Sequence, residues 1–305
     1  MATATTDQTV LYEQKFSQNF EMLVQQQDIR IADSFRQGDY RGSKGAQVVK
    51  QIGLVEMDRR TVRLTPVVFK DVQHDARWVY PTPLDAYIGF DTWDELMTAA
   101  DPRSEYNAAL VAGMNRAKDD LCIAAFIGDA KTGETGGDTT AFDTANQSIA
   151  DNFGASAATH LTLAKIKEGK RILLANEVDL SMEKLYCSAR ATDISSLMDE
   201  VQVVRDDYSA GMARNAQPVL RSGTLESVFG VQIIHSERHQ TSASDTQLFM
   251  WSSGAMSFGT WQPVQTKIVM RDDLRMAPWQ VGVWGMFGST RLQEKKIVRI
   301  MSVTA

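Results

Sequence analysis

Apolar residues recur along this chain with periods that change from segment to segment. Near the start, Tyr12, Phe16, Phe20 and Leu23 are spaced four, four and three apart, which puts them on one helical face. The first fifty residues are otherwise polar, with glutamine at 25–27, and Gly38, Gly42 and Gly45 interrupt the pattern. So narrow a stripe predicts a helix packed on something outside its own segment, an extended arm, or an ordinary amphipathic helix on its own domain. The period then falls to two. Arg60-Thr61-Val62-Arg63-Leu64-Thr65 alternates up to Pro66, and Asp75-Ala76-Arg77-Trp78-Val79-Tyr80 alternates up to Pro81, predicting two strands of a hairpin with a long connection. Its many charges (Arg59, Arg60, Arg63, Lys70, Asp71, Asp75, Arg77) exclude a central core strand. A two-stranded ribbon alone is marginal, so its own domain or a neighbouring subunit must support it.

Helical periodicity returns after Thr92-Trp93-Asp94-Glu95, which has capping-box spacing, and Asp101-Pro102, an N-cap followed by proline at the first helical position. Tyr106, Leu110, Met114, Ala117, Leu121 and Ala124 carry the stripe to Ile127 and Gly128. This predicts a helix over 102–127, on the order of 39 Å long, with Arg103, Glu105, Arg116 and Asp119 on its exposed side. Residues 128–160, rich in Gly, Thr, Asp, Ala and Ser, have no period and predict a long loop. A helix from Leu163 to about Asn176, a strand near Leu185-Tyr186-Cys187 and a short helix over 192–198 follow. Strand patterns then dominate: 231–234, 246–251, 264–271, 280–287 and 296–301. The order predicts an α+β fold without internal repeats.

Composition narrows the class. With 305 residues, 43% hydrophobic and 23% charged, the chain can bury a core without staples. Its two cysteines, Cys122 and Cys187, lie outside any C-x-x-C spacing and fit a reducing compartment. A net charge of −6 argues against a dedicated duplex-binding protein. The charge is uneven: residues 129–210 hold eight basic and fourteen acidic side chains, whereas 264–305 hold seven basic and three acidic. The polar, threonine-rich start and the lack of any apolar run near 18 residues predict neither export nor a membrane span.

Candidate chemistry stays incomplete. Gly128 to Thr135 copies the Walker A spacing but puts Glu134 where the phosphate-binding lysine belongs. His235 and His239 could share a helical face and hold zinc beside Glu237, but the segment follows a β-branched strand, where residues four apart are about 13 Å apart. The surface turn is the preferred reading. Asp206-Asp207 and Asp272-Asp273 could hold magnesium, yet both sit in turn contexts, where aspartates accept backbone hydrogen bonds. Cys122, between Leu121 and Ile123, is expected as a small buried hydrophobe. Gly282, Gly285 and Gly288 have the wrong spacing for a dinucleotide fingerprint and predict a crowded strand. No catalytic, cofactor or metal residues are therefore expected.

Two stretches carry a resemblance. Leu220-Arg221-Ser222-Gly223-Thr224-Leu225 leads into Phe229-Gly230-Val231-Gln232-Ile233-Ile234-His235-Ser236, a turn plus strand, and Gly288-Ser289-Thr290-Arg291-Leu292 with Glu294 precedes a closing strand, Ile297-Val298-Arg299-Ile300. With these, and in the order polar arm, charged hairpin, long helix, α+β middle and β-rich end, the chain resembles the major capsid proteins of tailed bacteriophages, the Hong Kong 97-type fold. The resemblance implies an N-terminal arm (1–50), an E-loop hairpin (51–91), a peripheral domain (92–160) with a spine helix (102–127), an axial domain (161–263) and strands returning to the peripheral domain (264–305). It implies inter-subunit contacts through Tyr12, Phe16, Phe20, Arg59, Arg60, Arg63, Lys70 and Trp78, and no enzyme, cofactor or membrane.

The implied product is an icosahedral shell of hexamers and pentamers in the virion, assembled in the host cytoplasm. Scaffolding, portal and decoration proteins are implied partners, and packaged double-stranded DNA would be touched weakly and nonspecifically. Some such proteins cross-link an E-loop lysine to a distant asparagine. Lys70 could serve, but residues 241–305 contain no asparagine, so a noncovalent shell is expected. The alternatives are an encapsulin-type compartment, a phage tail or head-completion protein, and a metal-dependent hydrolase using His235, His239 and Glu237.

Overall fold

The alternating and helical patterns fold, in a computed structural model, into three sheets and a few helices; the structure describes residues 23–61, 63, 66–67, 69–91, 103–200, 225, 227–242, 245–275 and 277–304. In chain order the elements are β1 (Arg36–Asp39), β2 (Ala46–Ile52), β3 (His74–Val79), β4 (Thr82–Phe90), α1 (Arg103–Ile127), β5 (Ala130–Thr132), β6 (Asp138–Thr140) and β7 (Ser148–Ile149). Then come α2 (Leu163–Ala175), β8 (Leu185–Ala189), α3 (Ala191–Asp199), β9 (Ser227–Val228), β10 (Val231–His235), β11 (Thr241–Ser242), β12 (Asp245–Ser252), β13 (Met256–Met270), β14 (Trp279–Arg291) and β15 (Ile297–Val303). The chain divides into two units. The smaller comprises 1–27, 85–114 and 264–284, the larger 28–84, 115–263 and 285–305, so the boundary falls within α1, β4, β13 and β14.

The core of the larger unit is a seven-stranded mixed sheet in the order β7-β15-β12-β8-β10-β9, with β11 beside β12. β12 is central because both its faces are apolar: Leu248, Phe249, Met250 and Trp251 are all fully buried. Leu248 and Met250 join Ile166 and Leu173 of α2, Leu197 of α3 and Val298 and Ile300 of β15 in one cluster. Phe249 and Trp251 point the other way, where Phe126 of α1 stacks on Phe249 at 4.5 Å and Phe35 meets Phe126 edge-on at 5.5 Å. Such ring pairs stabilise beyond their buried area. Lys165 is fully buried in this packing and donates to the carbonyls of Thr159 (2.7 Å), His160 (3.0 Å) and Met301 (3.0 Å). Burial lowers its pKa to about 8.

The helix expected over 102–127 is α1; Leu110 and Met114 of the predicted stripe are buried, but toward the C-terminal end the buried face departs from it. Ala124 is exposed, and Lys118, Asp119, Cys122, Ile123 and Phe126 face inward. Asp119, expected on the solvent side, is fully buried because its carboxylate accepts the backbone N–H groups of Arg30 (3.1 Å), Ile31 (3.1 Å) and Ala32 (3.4 Å). A carboxylate collecting several amide donors is the arrangement that makes its burial tolerable. That contact seats Ile31, Ala32 and Phe35 in the core, and β1 and β2 follow, so much of the stretch expected as an arm belongs to the larger unit. The C-terminal carbonyls of α1 are met by Arg291, whose buried guanidinium donates to Phe126 O (2.8 Å) and Gly128 O (2.8 Å) as well as Thr140 O (2.9 Å).

The hairpin also differs from expectation. Its first strand is β2, paired antiparallel with β3 from Ala46↔Val79 to Ile52↔His74, and no described residue of 53–73 is in a strand. The described residues Arg59, Arg60 and Arg63 lie outside any strand. The stretch expected as a loop supplies the missing support: β5 pairs with β3, and β6 with β5, making the sheet β2-β3-β5-β6. The Walker-like segment is thus β5 and its turn. Gly136 is left-handed there (φ 74°), and a Cβ on it would lie 2.5 Å from the Tyr80 hydroxyl. The remaining sheet runs β1-β13-β14-β4; at Gly288 of β14 a Cβ would lie 2.3 Å from the Tyr80 carbonyl oxygen, the crowding expected of that glycine series.

Candidate assembly site

Among the described residues, the segment joining β2 to β3 exposes several large apolar side chains and most of the expected contact residues. Its base is well tied. Gly53 N–H donates to Gln73 O (2.7 Å), the Gln51 amide to Leu292 O (2.7 Å), and Arg77, almost wholly buried, pairs with Glu294 at 3.1 Å. The Trp78 indole N–H donates to Gly133 O (2.7 Å), and Asp75 accepts Gly133 N–H (3.1 Å). Beyond Gly53 the side chains turn outward: Leu54 is 87% exposed, Met57 91%, Val67 80% and Phe69 92%. Scattered exposed apolar residues are ordinary, but four large ones on one connection make a feature to account for.

The charged residues expected as contacts are placed unevenly. Arg59, Arg60, Arg63 and Lys70 all lie on this exposed connection, and Lys70 pairs with Asp58 at 2.8 Å and donates to the Glu56 carbonyl, which closes the connection on itself. Trp78 is not with them; it is half-buried on β3 with its N–H satisfied within the chain. Tyr12, Phe16 and Phe20 lie outside the described residues, as do Asp206-Asp207, the capping residues 92–102 and most of the 220–225 stretch. The apolar residues Leu54, Met57, Val67 and Phe69 escaped the pattern because they follow neither a period of two nor one of 3.6. Their signal is that lack of period: large apolar side chains between Gly53 and β3 with no face of their own.

The other candidate chemistry resolves into structural roles. His235 ends β10, so it and His239 do not share a helical face. The His235 ring bonds Arg30 through Nδ1 (2.7 Å) and Glu237 through Nε2 (2.8 Å). Both ring nitrogens of His239 are buried without a partner, and burial lowers its pKa to about 4, keeping it neutral. Against the desolvation that burial imposes, hydrogen bonds from Ala191 N–H and His235 hold the Glu237 carboxyl below the usual range. Among the described residues no group of three or more His, Cys, Asp or Glu could hold a metal ion. Asp273 is held by the Arg271 guanidinium at 2.7 and 2.6 Å, which lowers its pKa, as a turn carboxylate would be. Burial pushes the Cys122 thiol well up and that of Cys187 to about 12, so neither is a poised nucleophile. Among the described residues no helix is long and apolar enough to cross a membrane.

Comparison with known proteins points one way. The model of a family described as phage capsid protein matches residues 9–303. The capsid of cyanophage Pam1 has a similar fold at TM-score 0.71 and 12% identity, covering 100% of this chain and 98% of that one. The acid-stable capsid of Helicobacter pylori bacteriophage KHP30 matches at 0.71 and 9%, covering 99% and 98%. A chain of Mycobacterium phage Che8 matches at 0.67 and 12%, covering 95% and 96%. At these identities the likeness is one of fold. No curated protein matches the chain.

Proposed function

The chain belongs to the phage capsid protein family, and from that premise we propose that it is the major head subunit of a tailed phage, closing as hexamers and pentamers into an icosahedral shell around double-stranded DNA. A capsid protein acts by being a wall: many moderate contacts between copies sum to a rigid container. The observation that carries the finer reading is the connection between β2 and β3, whose base is fixed to the larger unit and whose apolar tip has nothing of its own to cover. Burying one large apolar side chain contributes about 1.5–3 kcal/mol, so seating Leu54, Met57, Val67 and Phe69 on an adjacent copy supports a stable heterologous contact.

In this reading 51–91 is the E-loop reaching a neighbour, with Arg59, Arg60, Arg63 and Lys70 setting its register by charge and Tyr12, Phe16 and Phe20 giving the arm its apolar contacts. The spine helix of 102–127 and the return strands of 264–305 form the peripheral domain, and 161–263 the axial domain. Scaffolding, portal and decoration proteins are partners of the assembled shell, DNA is held weakly, assembly takes place in the host cytoplasm, and the chain performs no catalysis. The family and its structural neighbours favour this over an encapsulin compartment, and the geometry at His235 and His239 gives no support to a hydrolase.

Electron microscopy of the purified chain, with light scattering in near-physiological salt, tests the reading. Closed particles of tens of nanometres or ring-shaped capsomers are the expected result, and a small monodisperse oligomer would overturn it. Boiled particles should run as one band on a denaturing gel; a ladder of linked subunits would show that Lys70 or another residue forms covalent bonds.

A further inference from the structure

Two adjoining clefts border the root of the connection between β2 and β3. One, about 400 Å³, is lined by Gln47 and Lys50 of β2, His74, Asp75 and Ala76 of β3, and Glu134. The other, about 500 Å³, shares His74 and Asp75 and ends at Gly53 and Gln73, where the chain leaves the sheet. Clefts of this size enclose a few side chains. Glu134 is the residue that spoils the Walker-like spacing, and the fold fixes the backbone that presents it. Gly133, just before it, is left-handed (φ 85°) and bonded to β3 through both its polar groups. Its N–H donates to Asp75 Oδ1 (3.1 Å), and its carbonyl accepts the Trp78 indole N–H (2.7 Å). Glu134 itself stays exposed, and among the described residues nothing pairs with its carboxylate. With the backbone already held, only the Glu134 side chain has to be ordered when a partner binds.

The tip of the same connection carries the opposite set of charges. Asp58 and Lys70 neutralise one another at 2.8 Å, and Arg60 has contacts of its own, which leaves Glu56, Arg59 and Arg63 exposed. The tip thus offers two positive groups and one negative. The cleft offers two negative groups, Asp75 and Glu134, and one positive, Lys50. Two different, complementary surfaces on one chain define a heterologous contact, which passes from copy to copy and can close into a ring. Each leg of the connection, about ten residues, can reach up to about 35 Å from its root, far enough to meet an adjacent copy. We propose, on the reading that copies assemble through this connection, that the cleft beside Glu134 seats the tip from a second copy. Arg59 and Arg63 meet Glu134 and Asp75 there, and Glu56 meets Lys50. Paired guanidinium and carboxylate groups add directed hydrogen bonds to the charge attraction, and so fix which surface the apolar side chains of the tip settle on.

Charge reversal in the purified full-length chain tests this, with particle yield read by light scattering and electron microscopy. The urea midpoint of each disassembled variant is the control for folding, and it should not move, because Glu134, Arg59 and Arg63 are all exposed. Glu134→Arg should lower the yield about tenfold, and the pair Arg59→Glu with Arg63→Glu should do the same, since each sets like charges together. Combining all three substitutions should bring particles back, because the signs are opposite again. Native yield from Glu134→Arg would overturn the seat and leave the assembly reading standing. A loss in Glu134→Arg that the combined variant does not reverse would also overturn it, because the cleft then takes something other than this tip. A native chain that forms no particles would remove the assembly reading, and the seat with it.

Discussion

Strand β12 and the connection between β2 and β3 both carry large apolar side chains, and they meet opposite fates. In β12, Leu248 and Met250 meet two helices on one face while Phe249 and Trp251 meet α1 on the other, and none is exposed. In the connection, Leu54, Met57, Val67 and Phe69 stand almost wholly in solvent. The difference lies in backbone pairing. β12 has β15 and β8 on its two edges, which fixes its register and hence which side chain meets which helix. Residues 53–73 have no such ladder among the described positions, and nothing there fixes their apolar groups against a core. One region stabilises the subunit, and the other is the one we propose for assembly.

This contrast can be broken at its strongest point first. Trp251→Ala removes a fully buried indole and should cost the disassembled subunit about 3–5 kcal/mol in urea unfolding. Asp119→Ala comes next: it leaves the N–H groups of Arg30, Ile31 and Ala32 without their acceptor and should cost about 2–4 kcal/mol, with Asp119→Asn milder because an acceptor oxygen remains. If Asp119→Ala unfolds at the native urea midpoint, the seating of residues 30–32 is not what makes its burial tolerable.

Lys165 sharpens the comparison through pH. Its folded pKa, about 8, lies below its ordinary 10.5, so between those values the unfolded chain binds the extra proton and stability rises with pH; below about 8 the contribution levels off. Subtracting the Lys165→Met profile from the native one should isolate that rise, and a flat difference across pH 8–10.5 would contradict it. The smallest effect on the subunit belongs to the exposed connection. Combined Leu54→Ser, Met57→Ser and Phe69→Ser should shift subunit unfolding by no more than about 0.5 kcal/mol while particles disappear from light scattering and electron microscopy. Normal particles from this variant would remove the connection from the assembly surface.

The amino-acid sequence alone determined the elements whose periods are strong and local: the helix ending at Ile127 and Gly128, the helix from Leu163, and the C-terminal strands, which appear near where their apolar spacing puts them, although β13 begins at Met256 rather than at 264. It also determined the α+β order and, through that order, the likeness to phage capsids. Tertiary structure decided the rest, for reasons that distant partners impose. Asp119 is polar, and the N–H groups of residues 30–32, some ninety positions away, make its burial favourable, so α1 buries a position that its own stripe leaves to solvent. β2 is a strand because β3 pairs with it, and β5 and β6 exist because β3 has a second edge to satisfy, although the composition of 128–160 suggests only loop. Periodicity records the side chain's preference for water or oil along a local element; pairing, capping and rotation depend on groups brought together by the whole chain, and that is where sequence patterns stop.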